Sequence, residues 1–138
     1  MTTADGAADD PTIGDDVSLW RRVPPQFTVF DHNLGCRRPS SQAFQNYRDP
    51  RLGVRNAFSV CISCDAEALG AGPRDFVAAH PGYGVASFSA GLARQLDQGV
   101  VRVPQEGELA HGHVVGDKPK RVIKAFALHA TFLIEPAP

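Results

Sequence analysis

This chain has few cysteines, no long apolar run and none of the glycine-rich loops that hold nucleotides, and each shortage removes a class of protein. Three cysteines in 138 residues, an odd number, do not make a disulfide-stapled scaffold; they imply reduced thiols in a chain long enough to build its own core. No apolar stretch approaches the roughly 18 residues that cross a bilayer. The opening MTTADGAADD lacks the cationic start and apolar centre of a signal peptide. The expectation is a soluble, cytoplasmic protein with no membrane partner. Neither G-x-x-x-x-G-K-[ST] nor a G-x-G-x-x-G opening a helix occurs, so Gly82-Tyr83-Gly84 reads as a turn into a strand. Ser87-Phe88-Ser89-Ala90-Gly91 has one glycine where the hydrolase elbow G-x-S-x-G needs two. No internal repeat is visible.

What is present points to one small domain. The length fits a single core, and 13 glycines with 11 prolines favour short elements and many turns over a long-helix bundle. The formal charge of −1 excludes a globally basic nucleic-acid binder, yet it hides an asymmetry. Residues 1–16 hold five aspartates and no base, whereas residues 19–55 hold seven arginines against Asp31 and Asp49. Residues 1–16 are also poor in apolar side chains, which predicts a disordered acidic tail; charge alone suggests that it covers the basic region.

Element by element, residues 17–23 read as a first strand ended by Pro24-Pro25, with Phe27, Val29 and Phe30 continuing it and 31–35 as a loop. Ser40 or Ser41 caps a short helix to about Tyr47, an extended segment being the rival reading. Residues 46–56 are an exposed loop. Residues 57–64 (AFSVCISC) are the best strand, with Phe58, Val60 and Ile62 on one face and Ser59, Cys61 and Ser63 on the other. Asp65 caps helical residues to about 79, broken in two by Gly70, Gly72 and Pro73. A strand at 84–88, a helix capped by Ser89, a strand at 100–103 and an alternating stretch at 110–115 follow. Beyond Pro119, Val122, Ile123, Phe126 and Ala130 fall at helical spacing, with Lys118, Lys120, Arg121 and Lys124 as a basic face; a last extended piece and a short tail at 135–138 close the chain. The fold class expected is α+β (mixed α/β): one domain over 17–134, with a central sheet of four to six short strands and three or four short helices.

The chemistry concentrates in LWRRVPPQF followed by CRRPSSQAF. Guanidinium forks and free backbone N–H groups at a helix start both bind phosphate or carboxylate. Arg21, Arg22, Arg38, Ser40 and Ser41 are therefore the candidate ligand-binding residues. Arg21 and Arg22 stand out because neighbours in a strand face opposite ways, so one points toward the core or a cleft; Arg48, Arg51 and Arg55 read as solvated. His111 and His113 share a strand face behind Glu106 and Glu108, and imidazoles suit acid–base work near neutral pH; they are the candidate catalytic residues, while His129 reads as structural. Cys61-x-x-Cys64 with His111-x-His113 supplies four donors. A strand would split the cysteines between faces and the spacing departs from zinc modules, so no metal site is expected. Only Cys64 lies near a helix start, which disfavours a redox pair.

These segments, LWRRV, RPSSQAF, SVCIS, GVASF and a His-rich strand, resemble a set of small uncharacterised bacterial proteins with an R-x-S-S-Q-A-F-type signature across residues 19–115. More remotely, the order of an Arg-bearing first strand, a polar turn, a strand ending in Ser and a helix is similar to RES-domain and ADP-ribosyltransferase-like proteins, which use NAD. That resemblance implies Arg21 or Arg22 as the ligand-binding arginine, Ser59 or Ser63 as the strand serine and Glu67 as the acid; the cofactor of this chain stays unknown. Two functions follow as expectations. One is a domain binding an anionic, phosphate-bearing or nucleotide-like small ligand, on which His111 or His113 acts. The other is a noncatalytic module that holds an acidic protein surface beside an enzyme or toxin. Nucleic acid is disfavoured, because only Trp20, Phe27, Phe30 and Tyr47 lie near the arginines to stack on bases.

Overall fold

Six strands form the centre of the molecule, and every pairing in this sheet is antiparallel. The structure, a computed structural model, describes residues 8–46 and 56–138, with the backbone alone of 48–49 and 53–54. In chain order the strands are β1 (Ser18–Val23), β2 (Thr28–Asp31), β3 (Cys36–Pro39), β4 (Arg48–Asp49), β5 (Gly53–Val54), β6 (Ala57–Ile62), β7 (Gly84–Ser89), β8 (Gly99–Arg102), β9 (His111–Val115) and β10 (Thr131–Ile134). The helices are α1 (Ser63–Ala68), α2 (Pro73–Val77), α3 (Ala90–Gln95) and α4 (Lys120–His129). The sheet runs β10-β7-β1-β6-β9-β8, while β2–β3 and β4–β5 are separate two-stranded ribbons. This is one small α+β domain.

Period-two alternation in β1 and β6 sorts side chains between the two faces. Leu19, Phe58 and Ile62 join Phe44, Phe88 and Phe126 in one cluster, where the four rings lie 5.0–6.1 Å apart. Helix α4, which buries Val122, Phe126 and Ala127, and the tight turn Ser41–Phe44 close this face. The opposite face carries Trp20, Cys61, Val85 and Ala110, with Phe76 and Val77 of α2 packed beside them. Here α1 and α2 leave part of the sheet uncovered. Gly84 lets the C-terminal segment pass, since a Cβ there would stand 2.5 Å from the carbonyl oxygen of Ile134.

The expected disordered tail is corrected for residues 8–16, which pack against the domain; residues 1–7 lie outside the described residues. Ile13 is fully buried in the larger cluster. The Asp10 N–H donates to the carbonyl of Val100 and the Val100 N–H to Asp9 Oδ1, which covers the outer edge of β8. Arg94 holds Asp9, Asp15 and the Asp10 carbonyl, while Arg102 holds Asp10, Thr12 and Asp65. The acidic segment therefore answers two arginines some 80–90 positions downstream, and among the described residues it makes no ion pair with the arginines at 21–38.

Smaller corrections concern caps. Ser40 precedes a single 3-10 turn, and its buried hydroxyl caps nothing. Helix α1 begins at Ser63, so Asp65 sits in its first turn and Cys64 leaves the strand. Ser89 caps α3 as its position suggests, accepting from the Leu92 N–H at 3.0 Å. Tyr47, Arg51 and Arg55, with the side chain of Arg48, fall outside the described residues.

Candidate functional site

A split in the sheet makes the site. All six residues of β1 pair with β7, but β1 pairs with β6 only at Leu19↔Ile62 and Trp20↔Cys61. Beyond Trp20 the two strands part, and Arg21 takes the place of the missing ladder. Its Nη1 donates to the Ser59 carbonyl at 2.8 Å and its Nε to the Ala43 carbonyl at 2.9 Å, with the guanidinium 5.1 Å from the centre of the Phe58 ring. No carboxylate accompanies it among the described residues. Burial first, then the neighbouring charge of Arg22, pushes its pKa down to about 10.

Arg22 faces the other way. Its Nε donates to the Phe76 carbonyl at 2.9 Å, its plane lies 4.1 Å from the Phe76 ring centre, and its Nη2 meets Glu108 Oε1 at 2.7 Å. Register brings the histidines across, for Cys61 pairs with His111 and Ser59 with His113. The two imidazoles stand edge to face at 5.0 Å. Nδ1 of His111 lies 2.9 Å from the Val103 carbonyl; because a carbonyl only accepts, Nδ1 carries the proton and Nε2 holds the lone pair of the neutral ring.

These groups line a cleft of about 290 Å³, whose walls are Arg21, Arg22, Ser59, Phe76, Gln105, Glu108, His111 and His113. Among the described residues, two guanidiniums there face one carboxylate. A second cleft, of about 480 Å³, adjoins it and shares Arg22, Val60, Phe76, Glu108 and His111; its remaining lining is mainly apolar, including Cys61, Ala66, Leu69, Ala71, Leu109 and Ala110. The Arg22–Glu108 bridge and the Phe76 ring stand between the two.

The structure thus unites four of the candidate residues, Arg21, Arg22, His111 and His113, and leaves three elsewhere. Arg38 is bound within its own hairpin, Nε to Asp31 Oδ2 at 2.7 Å, and this bond holds the Asp31 carboxyl below its ordinary value. Ser40 and Ser41 belong to the turn under the aromatic cluster and line neither cleft. Glu67 is exposed on α1 and lines neither. Glu108 and Ser59 emerge as members of the site. Glu108 carries its signal in the spacing Glu-x-x-His, which a turn folds back; Ser59, one of two serines offered by the resemblance, is brought to the cleft by strand register.

Cys61 lies against Trp20 and Ala66, and burial pushes its thiol up to about 11. Cys64 is exposed on α1, its thiol also raised, by burial and by Asp65. Neither thiol is activated. Among the described residues no three His, Cys, Asp or Glu side chains come together as metal ligands, and no helix is long and apolar enough to cross a membrane. On the covered face, Lys118 donates to the carbonyls of Val114 and Gly116 at 3.0 and 2.9 Å beside Phe58, and burial pulls its pKa down to about 7. No protein-family model, curated protein or solved structure matches this chain.

Proposed function

We propose that the cleft in the split sheet binds a small molecule carrying a carboxylate or phosphate, with Arg22 as its principal partner and His111 and His113 beside it for proton exchange. The supporting observation is the convergence of two guanidiniums and two imidazoles on a cleft that, among the described residues, holds a single carboxylate, Glu108. Glu108 already occupies a position on the Arg22 fork that an incoming anion would take. The exchange is inexpensive, because this bridge is partly solvated, with side-chain exposures of 25% and 38%. The three reduced cysteines suit a reducing compartment such as the cytoplasm.

The competing module that grips an acidic protein surface would use the β2–β3 hairpin, where Phe30 and Leu34 are exposed, or the exposed basic face of α4. Arg38 is held by Asp31, whose side chain is 11% exposed against 38% for the Glu108 on Arg22, and Arg37 by the carbonyls of Pro136 and Ala137, so the cleft is a better reading than the hairpin.

Calorimetric titration with inorganic phosphate, acetate and nucleotides tests it. Arg22→Gln should weaken binding at least about tenfold, the loss of one charge-assisted hydrogen bond, and Arg38→Ala should leave it unchanged. Anion binding that survives Arg22→Gln but fails in Arg38→Ala would move the site to the hairpin, and no binding of any anion would end the proposal.

A further inference from the structure

Resting on that anion site, we infer the class of its ligand: an amphiphile whose anionic head meets Arg22 and whose unbranched apolar tail lies in the adjoining groove. The groove adjoins the polar cleft at Arg22, Phe76 and His111, which line both, so head and tail sites meet at one guanidinium. Its walls offer Cys61, Ala66, Ala71 and Ala110, small side chains that leave a trough. Leu69 and Leu109 also line it, 59% and 62% exposed. Large aliphatic side chains left in water along a concave surface are what an apolar occupant covers.

Charge runs in the same sense. Arg22 and Arg21 lie at the polar end, and Glu108 is the carboxylate an anionic head replaces. Asp75, which also lines the groove, is tied to the Gly72 N–H at 2.8 Å, which suits a tail better than a second anion. Glu108 closes a tight turn through paired hydrogen bonds with Gln105, with Gly107 at φ +80°, and Leu109 follows it directly. A nucleotide fits less well, because Arg22 already covers one face of Phe76.

The test is a homologous series of monomeric ligands, acetate, hexanoate and decanoate, alongside phosphate, octyl phosphate, decanol and AMP, titrated into the full chain. Affinity should rise about three- to fourfold per added methylene until the groove is filled. Leu109→Ser, a change at an exposed position, should flatten that dependence, and Ala71→Phe should shorten the longest tail accepted. Short anions that bind with no gain from chain length would overturn the tail site and leave the anion site standing. Decanol binding as tightly as decanoate would overturn the anionic head, tighter binding of AMP than of octyl phosphate would overturn the apolar tail, and binding only to phosphatidylglycerol vesicles would replace the monomeric ligand by a membrane surface. Failure of every ligand would remove both readings together.

Discussion

Arg21 and Arg22 are chain neighbours with the same side chain, and the sheet gives them opposite tasks. Arg21 also lines the cleft, but it is anchored on the closed side, where carbonyls of Ala43 and Ser59 take its N–H groups and no counter-charge is present among the described residues. Arg22 belongs to the open face, stacked on Phe76 and holding a replaceable carboxylate. The closed face is satisfied internally by four packed rings, so it supplies stability; the open face keeps polar groups and a trough side by side, and the proposed anion site lies there. Charge alone does not mark a binding residue. What matters is whether its partners are backbone groups that cannot leave or a side chain that can.

The largest way to break this contrast is to empty the closed face. Phe126→Ala should cost about 3–5 kcal/mol, the range for a large aromatic removed from a core, read as the urea midpoint at unchanged slope. Phe76→Ala on the open face should cost less than half as much while weakening anion binding. Next comes the arginine pair itself. Arg21→Met strands two carbonyls and should cost about 2 kcal/mol, whereas Arg22→Met loses one partly solvated bridge and should cost under about 1 kcal/mol; ligand affinity should follow the reverse order. Equal stability losses would mean that the faces are not divided as described.

Lys118 sharpens the contrast through pH. Its amine gives up a proton at about 7 in the folded chain against 10.5 when unfolded. Between those values the unfolded state therefore binds the extra proton, and stability rises with pH, by no more than about 1.4 kcal/mol per unit. The neutral amine still has two N–H groups for the carbonyls of Val114 and Gly116. Comparison with Lys118→Met between pH 7 and 9 isolates the effect, because the raised Cys61 thiol opposes it above pH 9; parallel curves for the two proteins would refute the buried amine. A local effect concerns the sheet edge. Asp9→Ala should cost about 1 kcal/mol, and hydrogen exchange should quicken at the Val100 amide, which loses its acceptor.

Local pattern carried much of this fold. The alternation in 57–64, the helical spacing after Pro119 and the breakers at Gly70, Gly72 and Pro73 are each short-range signals, and each marks an element of the fold, although the strand ends at Ile62 and α1 starts at Ser63 instead of after Asp65. Long-range partners were not legible. Nothing in residues 8–16 announces Arg94, Arg102 or Val100, and one buried isoleucine anchors a segment whose composition reads as a tail. The site divides in the same way. The adjacent arginines and the His-x-His pair are visible as candidates, but their meeting depends on the order β1-β6-β9, and Arg38 was claimed by Asp31 through a hairpin register that composition does not reveal.

The central position of β1 has a consequence for how the chain is made. The ribosome delivers Ser18–Val23 well before β6 and longer still before β7, its two neighbours. Until residue 89 has emerged, the middle strand lacks the partner that pairs along its whole length, and Asp9 and Asp10 wait later still for Val100. Closure between such distant segments is slow, on the order of milliseconds to seconds for sheets of this kind. During synthesis the nascent chain therefore presents Leu19 and Trp20 on a strand with both edges bare, the interval in which it most needs shielding from its own copies.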